Sequence, residues 1–317
     1  MTAKSSATQS RATTLSRRSG LGWGLLGVVA FSLTVPLTRL AALDGLSPLF
    51  IGSGRAVVAA AVAATVLALT RQRVPSRNQW ARLAVVASGV VVGFPLLTSY
   101  ALTQAPASHG AVVIGLLPAA TAVMAVLRGN ERVAVRFWMW AALGAVAVVV
   151  FAALQNGGFE SPHWADLFLF AAVACAAAGY AEGGLLAREL GAWQTVSWAL
   201  LLAAPLMLAL TGISVTEGPP AGTGVQWLAF AYLSLFSMYL GFFAWYRGLA
   251  IGPMTQVSQV QLVQPVLSIV WAAVILHEHV TWATVLAGLT VIACARSAVR
   301  TRLDATRTSG ATTRGAS

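Results

Sequence analysis

Three residues recur at a fixed distance along the chain: Pro106, Pro118 and Glu131 return as Pro253, Pro265 and Glu278, each 147 residues later. Both copies sit in apolar frames, so the chain reads as a duplicated hydrophobic unit. Apolar stretches of about 20 residues, each able to cross a hydrocarbon layer of about 30 Å, fall near 21–41, 48–70, 80–103, 106–128, 134–154, 163–187, 192–212, 224–248, 253–275 and 280–299. Helices are the form expected of them, because a lipid-facing backbone must satisfy its own hydrogen bonds and the runs are too long for barrel strands. The first repeat occupies residues 20–155 and the second 160–300. Five crossings in each half, an odd number, turn the second half upside down relative to the first. The expected fold is an all-α integral membrane protein, with ten transmembrane helices in two inverted five-helix repeats.

Charge placement leads to the same topology independently. Apolar residues make up 58% of the chain and charged residues 9%, against roughly 25% charged in a soluble domain. A net charge of +11 suggests nucleic acid at first sight, but all of the 20 basic residues except Arg39 and Arg55 fall on one flank of the stack. By the positive-inside rule that flank is cytoplasmic and holds both termini, in a multi-pass protein of the cell membrane. The opposite loops carry Asp44, Glu160, Glu217 and Glu278. Residues 1–19 and 303–317 are rich in Ser, Thr, Ala and Arg and are expected to be disordered cytoplasmic tails. Ser16-Arg17-Arg18 before an apolar run is similar to a twin-arginine signal, yet nine further spans favour a retained first helix.

The paired segments Ala105-Pro106-Ala107-Ser108, Leu117-Pro118 and Gly129-Asn130-Glu131, against Gly252-Pro253, Gln264-Pro265 and His277-Glu278, resemble the EamA branch of the drug/metabolite transporter superfamily. Weaker matches are Gly22-Trp23-Gly24, Ser47-Pro48 with Arg55, and Tyr100-Ala101. The resemblance covers about residues 20–300. It implies ten helices around a central cavity open to alternate sides, and usually the export of small metabolites, amino acids or drugs. One departure is His277, where the family often has glycine before the second glutamate; this opens a pH-sensitive turn as a reading.

Several residues are candidates for a solute path. Gln256 and Gln259 lie in a polar run that opens the ninth span, and amides at membrane depth turn to protein or to a wet cavity. His109 is the counterpart of Gln256 in the first half. Tyr232, Phe236, Tyr239, Phe243 and Tyr246, spaced by four and three, fall on one face of an α-helix. Tyr239 and Tyr246 would grip an aromatic or cationic solute there, or the stripe would simply pack on a neighbour. Glu182 either carries a proton or neutralises a cationic solute, or it snorkels to the interface and pairs with Arg188. Arg55 is expected to be a structural intramembrane charge, bonding carbonyls near a helix break at Pro36. Pro118 and Pro265, halfway along their spans, kink them and are candidate hinges, although proline is also commoner in membrane helices generally.

Other chemistries find little support. Cys175 and Cys294 stand alone inside spans, as small packing residues do. His277-Glu278-His279 lacks the spacing of a helical zinc pair, so no metal site is expected. Gly22-x-Gly24-x-x-Gly27 follows no strand, so close helix packing explains it better than a dinucleotide. The single lysine, Lys4, excludes a phosphate-binding Walker motif, and energy must come from a proton gradient, another ion or exchange. No cofactor and no catalytic residue are expected; the partners are a small-molecule solute and the lipid bilayer. A membrane-embedded enzyme and a non-transporting sensor on the same scaffold are the alternatives.

Overall fold

The computed structural model describes residues 19–43, 45–129, 134–155, 163–252, 257 and 260–314, with side chains in the last helix described as far as Thr301. Among them nine helices are long and apolar enough to cross a membrane: α1 Ser19–Ala42, α2 Pro48–Thr70, α3 Arg77–Ala101, α4 Ala107–Arg128, α5 Val135–Leu154, α6 Trp164–Glu189, α7 Ala192–Glu217, α8 Gly224–Ile251 and α10 Trp282–Thr301. The ninth in order, α9 Gln261–Leu276, is a shorter apolar helix. The expected start of this span, with Pro253, Gln256 and Gln259, lies outside the described residues, as does Glu131. Helix α10 continues to Arg314, beyond its apolar period. Extending a formed helix fixes one residue per added bond, far easier than nucleating one.

The duplication reaches well beyond the two prolines and the glutamate. Helix α3 opens with a capping box, in which the Ser76 amide donates to Gln79 Oε1 at 2.9 Å and the Gln79 amide to Ser76 Oγ at 3.4 Å. Thr223 and Gln226, each 147 residues later, repeat it at the start of α8 with distances of 2.8 and 3.4 Å. Two amides that would otherwise be unpaired are thus satisfied in each repeat. Both helices then loosen into π-helix at matching places, Ala87–Gly93 in α3 and Leu233–Leu240 in α8. Val135 and Trp282, again 147 apart, begin α5 and α10.

Helices α4 and α9 are broken, not merely kinked. In α4 the segment Ala107–Ile114 ends in a turn before Leu117–Gly129 begins, and in α9 a 3-10 turn, Gln261–Val263, precedes Gln264–Leu276. Pro118 and Pro265 therefore occupy the first turn of a second segment, where a missing N–H is tolerated, in place of the mid-helix kinks expected from sequence. The two helices run antiparallel. Glu278, just past α9, contacts the start of α4, while a methyl group on Gly115 would come within 3.4 Å of Pro265 Cβ. The breaks thus lie side by side at the middle of the bundle, in inverted repeats.

Counterpart helices pack on each other, α2 on α7 and α5 on α10, while α3 lies against α6 as α8 lies against α1. Small residues permit the last crossing. A methyl on Gly248 would meet the Gly24 amide nitrogen at 2.7 Å, and one on Gly27 would meet the Trp245 nitrogen at 3.0 Å. Gly24 and Gly27 are thus packing residues, whereas Gly22 has nothing within 4 Å. The core is largely Ala, Val and Leu from the inner faces, and Leu, Val and Trp remain exposed on the outer ones, as a lipid solvent allows.

Helix α9 ends at His277, which takes the left-handed conformation with φ 54° and ψ 31°. Glycine adopts that geometry without the clash a Cβ brings. His277→Gly should therefore raise stability by about 1 kcal/mol, seen as a higher midpoint in thermal unfolding of the purified protein in detergent. An unchanged or lower midpoint would mean that the imidazole supplies a compensating contact.

Candidate functional site

The centre of the bundle is polar for a backbone reason. Pro36 has no N–H to offer the carbonyl of Ser32 one turn earlier. Ser268 of α9 supplies the donor instead, its hydroxyl 2.7 Å from Ser32 O, and Trp271 Nε1 donates to Ser32 Oγ at 3.1 Å. Two residues along, Thr34 Oγ1 and Ser237 Oγ stand 2.7 Å apart, linking α1 to the π segment of α8. A break in α1 is thus stitched to α9 and α8 across the repeat interface.

Beside it Arg55 of α2 is buried, with 1% of its surface exposed. It reaches the hydroxyls of Thr38 at 3.5 Å and Thr98 at 3.4 Å, not the carbonyls expected near Pro36, because α2 faces the threonine side of α1 and α3. Among the described residues its Nε has no partner, and no carboxylate forms an ion pair with it. Arg55, Thr34, Ser237 and Gln264 share a small central cavity with Phe31, Tyr180 and Phe242. The three rings form one wall, with centroids 4.8 Å (Phe31 to Phe242), 5.8 Å (Tyr180 to Phe242) and 6.2 Å (Phe31 to Tyr180) apart. The cavity volume is about 20 Å³, room for roughly one water. Gln264 Oε1 is buried there without a partner among the described residues. Wider grooves of about 350 and 440 Å³ lie on the bundle exterior between apolar side chains.

A polar clasp joins the repeats at each end. At one, the carboxylate of Glu278 accepts from the amides of Ala107 at 2.7 Å and Ser108 at 2.8 Å. A negative charge on these unpaired amides complements the start of α4. Next to it His109 Nε2 lies 2.6 Å from Asp166 Oδ1 and its ring stacks on Phe151, beside a crevice of about 160 Å³. At the other end Glu182 is held by Arg82 Nε and by Arg128 Nε at 2.8 Å, and Arg82 Nη1 also reaches Glu189 Oε1 at 2.6 Å. Glu182 therefore neither snorkels nor pairs with Arg188. Glu189, seven residues on, shares its helix face, whereas Arg188 at six residues is turned away and exposed.

Among the sequence candidates, none of the described path residues lines the central cavity. His109 and Glu182 belong to the two ends. Tyr239 bonds Ser197 Oγ at 3.0 Å, and Tyr246 donates to the Gly179 carbonyl at 3.2 Å, so both pack outward from α8 onto α7 and α6. Phe236 is 48% exposed, and Phe243 lies against Trp23. The stripe is divided because a π turn adds a residue and rotates the following face by about 100°. Gln256 and Gln259 lie outside the described residues. The wall residues Phe31, Tyr180 and Phe242 carry no mark in sequence. The capping box at Ser76 and Thr223 was the available signal, since it fixes the repeat register through α3 and α8.

The pattern of the EamA-like transporter family matches residues 18–153 and 163–296, one match to each repeat. A protein of Bacillus subtilis (strain 168) described as the uncharacterized transporter YdeK is 46% identical over 281 residues, 88% of this chain and 97% of that relative. A solved crystal structure at 19% identity superposes with a TM-score of 0.63 over 91% of this chain and 99% of its own, which bears on the fold alone. With both repeats matched and a relative of such identity along nearly its whole length, this multi-pass membrane protein belongs to the EamA-like transporter family.

Proposed function

We propose that the chain is a secondary transporter that carries a small organic solute through the cavity between its repeats, outward, with both termini in the cytoplasm. The observation that carries this reading is the pair of inter-repeat clasps, Glu278 on the α4 amides and Glu182 on Arg82 and Arg128, at opposite ends of a buried polar cavity. Each clasp exchanges protein partners for water when it opens, so opening one while the other stays closed gives alternating access. The broken helices α4 and α9 meet between the clasps, and Pro118 and Pro265 are the hinges of that motion. Glu182, fixed by two guanidinium groups, serves as a closing ion pair in this scheme. Export rests on the resemblance to the family, and the orientation on the basic flank, which puts the Glu182 clasp inside.

Orientation is checked at Val74 and Glu217, exposed residues at opposite ends of the bundle. In cells, Glu217→Cys should react with an impermeant maleimide added outside and Val74→Cys only after permeabilisation; labelling of both from one side contradicts the topology.

The clasps are tested with a cysteine at Ser237 in the cavity. Charge-assisted hydrogen bonds contribute about 1.5–3 kcal/mol, so losing one shifts the conformational balance about tenfold or more. Glu182→Gln should raise labelling of Ser237→Cys from the cytoplasmic side, and Glu278→Gln from the outer side. The reverse pattern would assign the clasps wrongly.

Pro265→Ala restores an amide and favours a continuous α9. It should insert normally in the membrane yet slow solute exchange in reconstituted vesicles by severalfold. Exchange at the wild-type rate would make the proline a packing residue.

A further inference from the structure

We infer that the central cavity takes a small organic monocarboxylate, its carboxylate on the guanidinium of Arg55 and its apolar remainder against Phe31, Tyr180 and Phe242. This rests on the transporter reading and names the solute class it would carry.

A guanidinium offers five N–H donors, and a structural arginine at membrane depth fills them with carbonyls or carboxylates. Among the described residues Arg55 fills two, at 3.5 and 3.4 Å and with hydroxyl oxygens, so both contacts are long. The Thr98 hydroxyl spends its own proton on Phe94 O at 2.6 Å and can only accept from the arginine. Nε, buried, has no partner among the described residues. A buried cation without an anion is unfavourable unless a charge reaches it, and a carboxylate matches the planar fork with two parallel bonds. One guanidinium suits one negative charge. Among the described residues no second arginine, and no lysine or histidine, lines the cavity as a phosphate dianion would require, and no acidic side chain lines it to hold an ammonium group. The facing ring wall offers apolar contact, and Gln264 Oε1 offers one free acceptor for a neutral N–H or O–H of the solute. At about 20 Å³ the cavity is too small for such a solute as it stands, so the solute enters only as a clasp opens and the cavity widens.

The test uses one hydrocarbon body with four head groups: 3-phenylpropionate, phenylalanine, 3-phenylpropylamine and 3-phenylpropanol, with hexanoate and hexylamine as an aliphatic pair. Binding is read by thermal shift on the full-length protein in detergent, and transport by uptake into sealed proteoliposomes. The carboxylates should bind at least tenfold more tightly than the amine or alcohol of the same body and more tightly than phenylalanine. Arg55→Gln should reduce their affinity about tenfold to a hundredfold, while Arg55→Lys, which keeps the charge but loses the fork, should fall between. If Arg55→Gln does not fold, the order of head groups on the wild-type protein decides alone. Equal binding of carboxylate and alcohol, or stabilisation by chloride as strong as by 3-phenylpropionate, overturns the inference. If 3-phenylpropylamine binds and crosses while the acids do neither, the transporter reading stands and the anion site falls. If the acids bind through Arg55 and nothing crosses, the site stands and the transporter reading falls.

Discussion

A backbone in lipid has no water to bond to, and the form of this molecule depends on that constraint. Each irregularity is placed where protein can answer it. Pro36 frees the Ser32 carbonyl, and the Ser268 hydroxyl takes it from another repeat. The turn before Pro118 is closed by the Gly115 amide, which lies 3.0 Å from Ala111 O and 3.1 Å from Val112 O. Glu278 takes two free amides at the start of α4. None of these sites faces the outside of the bundle. The breaks gather at the repeat interface because only there do hydroxyls, carboxylates and neighbouring backbone stand in for water, and this makes the interface polar enough to hold a solute.

The large features are legible in the sequence for a related reason. Hydrocarbon thickness sets the length of each span, so apolar runs mark the helices directly, and the offset of 147 residues orders them into two halves. Membrane-spanning runs of this kind tolerate errors of a residue or two at their ends. The site is less legible because it depends on helix rotation. A stripe spaced by four and three assumes an unbroken α-helix, and the π segment Leu233–Leu240 divides Tyr232 and Phe236 from Phe243 and Tyr246. Phe242, one residue off the stripe, reaches the cavity. Arg55 and Glu182 stand out in sequence as intramembrane charges, but their partners come from other helices: Thr98 is 43 residues from Arg55, and Arg82 is 100 from Glu182. Only packing brings them together.

The duplicated scaffold and the unequal chemistry divide the work between them. In the proposed transport cycle, inverted repeats that share capping boxes, π segments and broken helices would have two conformations related by exchange of roles, which brings their energies close. Side chains then bias the balance. One end is closed by ion pairs, in which the Arg128 side chain is 58% exposed, and the other by a carboxylate on backbone amides. Salt screens an exposed ion pair more than a charge lodged on a helix terminus. The two ends thus respond differently to the solution on either side, although the backbone beneath them is the same.

Arg55 has no equivalent in the second repeat. The residue 147 positions later is Leu202, and aligning the starts of α2 and α7 puts Ala199 opposite it. Arg55, the one cation among the described residues that line the cavity, therefore gives it a direction that the fold lacks. On the proposed reading, a solute with one charged end and one apolar end would bind such a site in one orientation, its charge towards α2 and its body towards the ring wall of α1, α6 and α8. Only a ligand that favours one conformation over the other shifts their populations. On that reading the asymmetry of the cavity, rather than the symmetry of the scaffold, decides which solutes turn the proposed cycle.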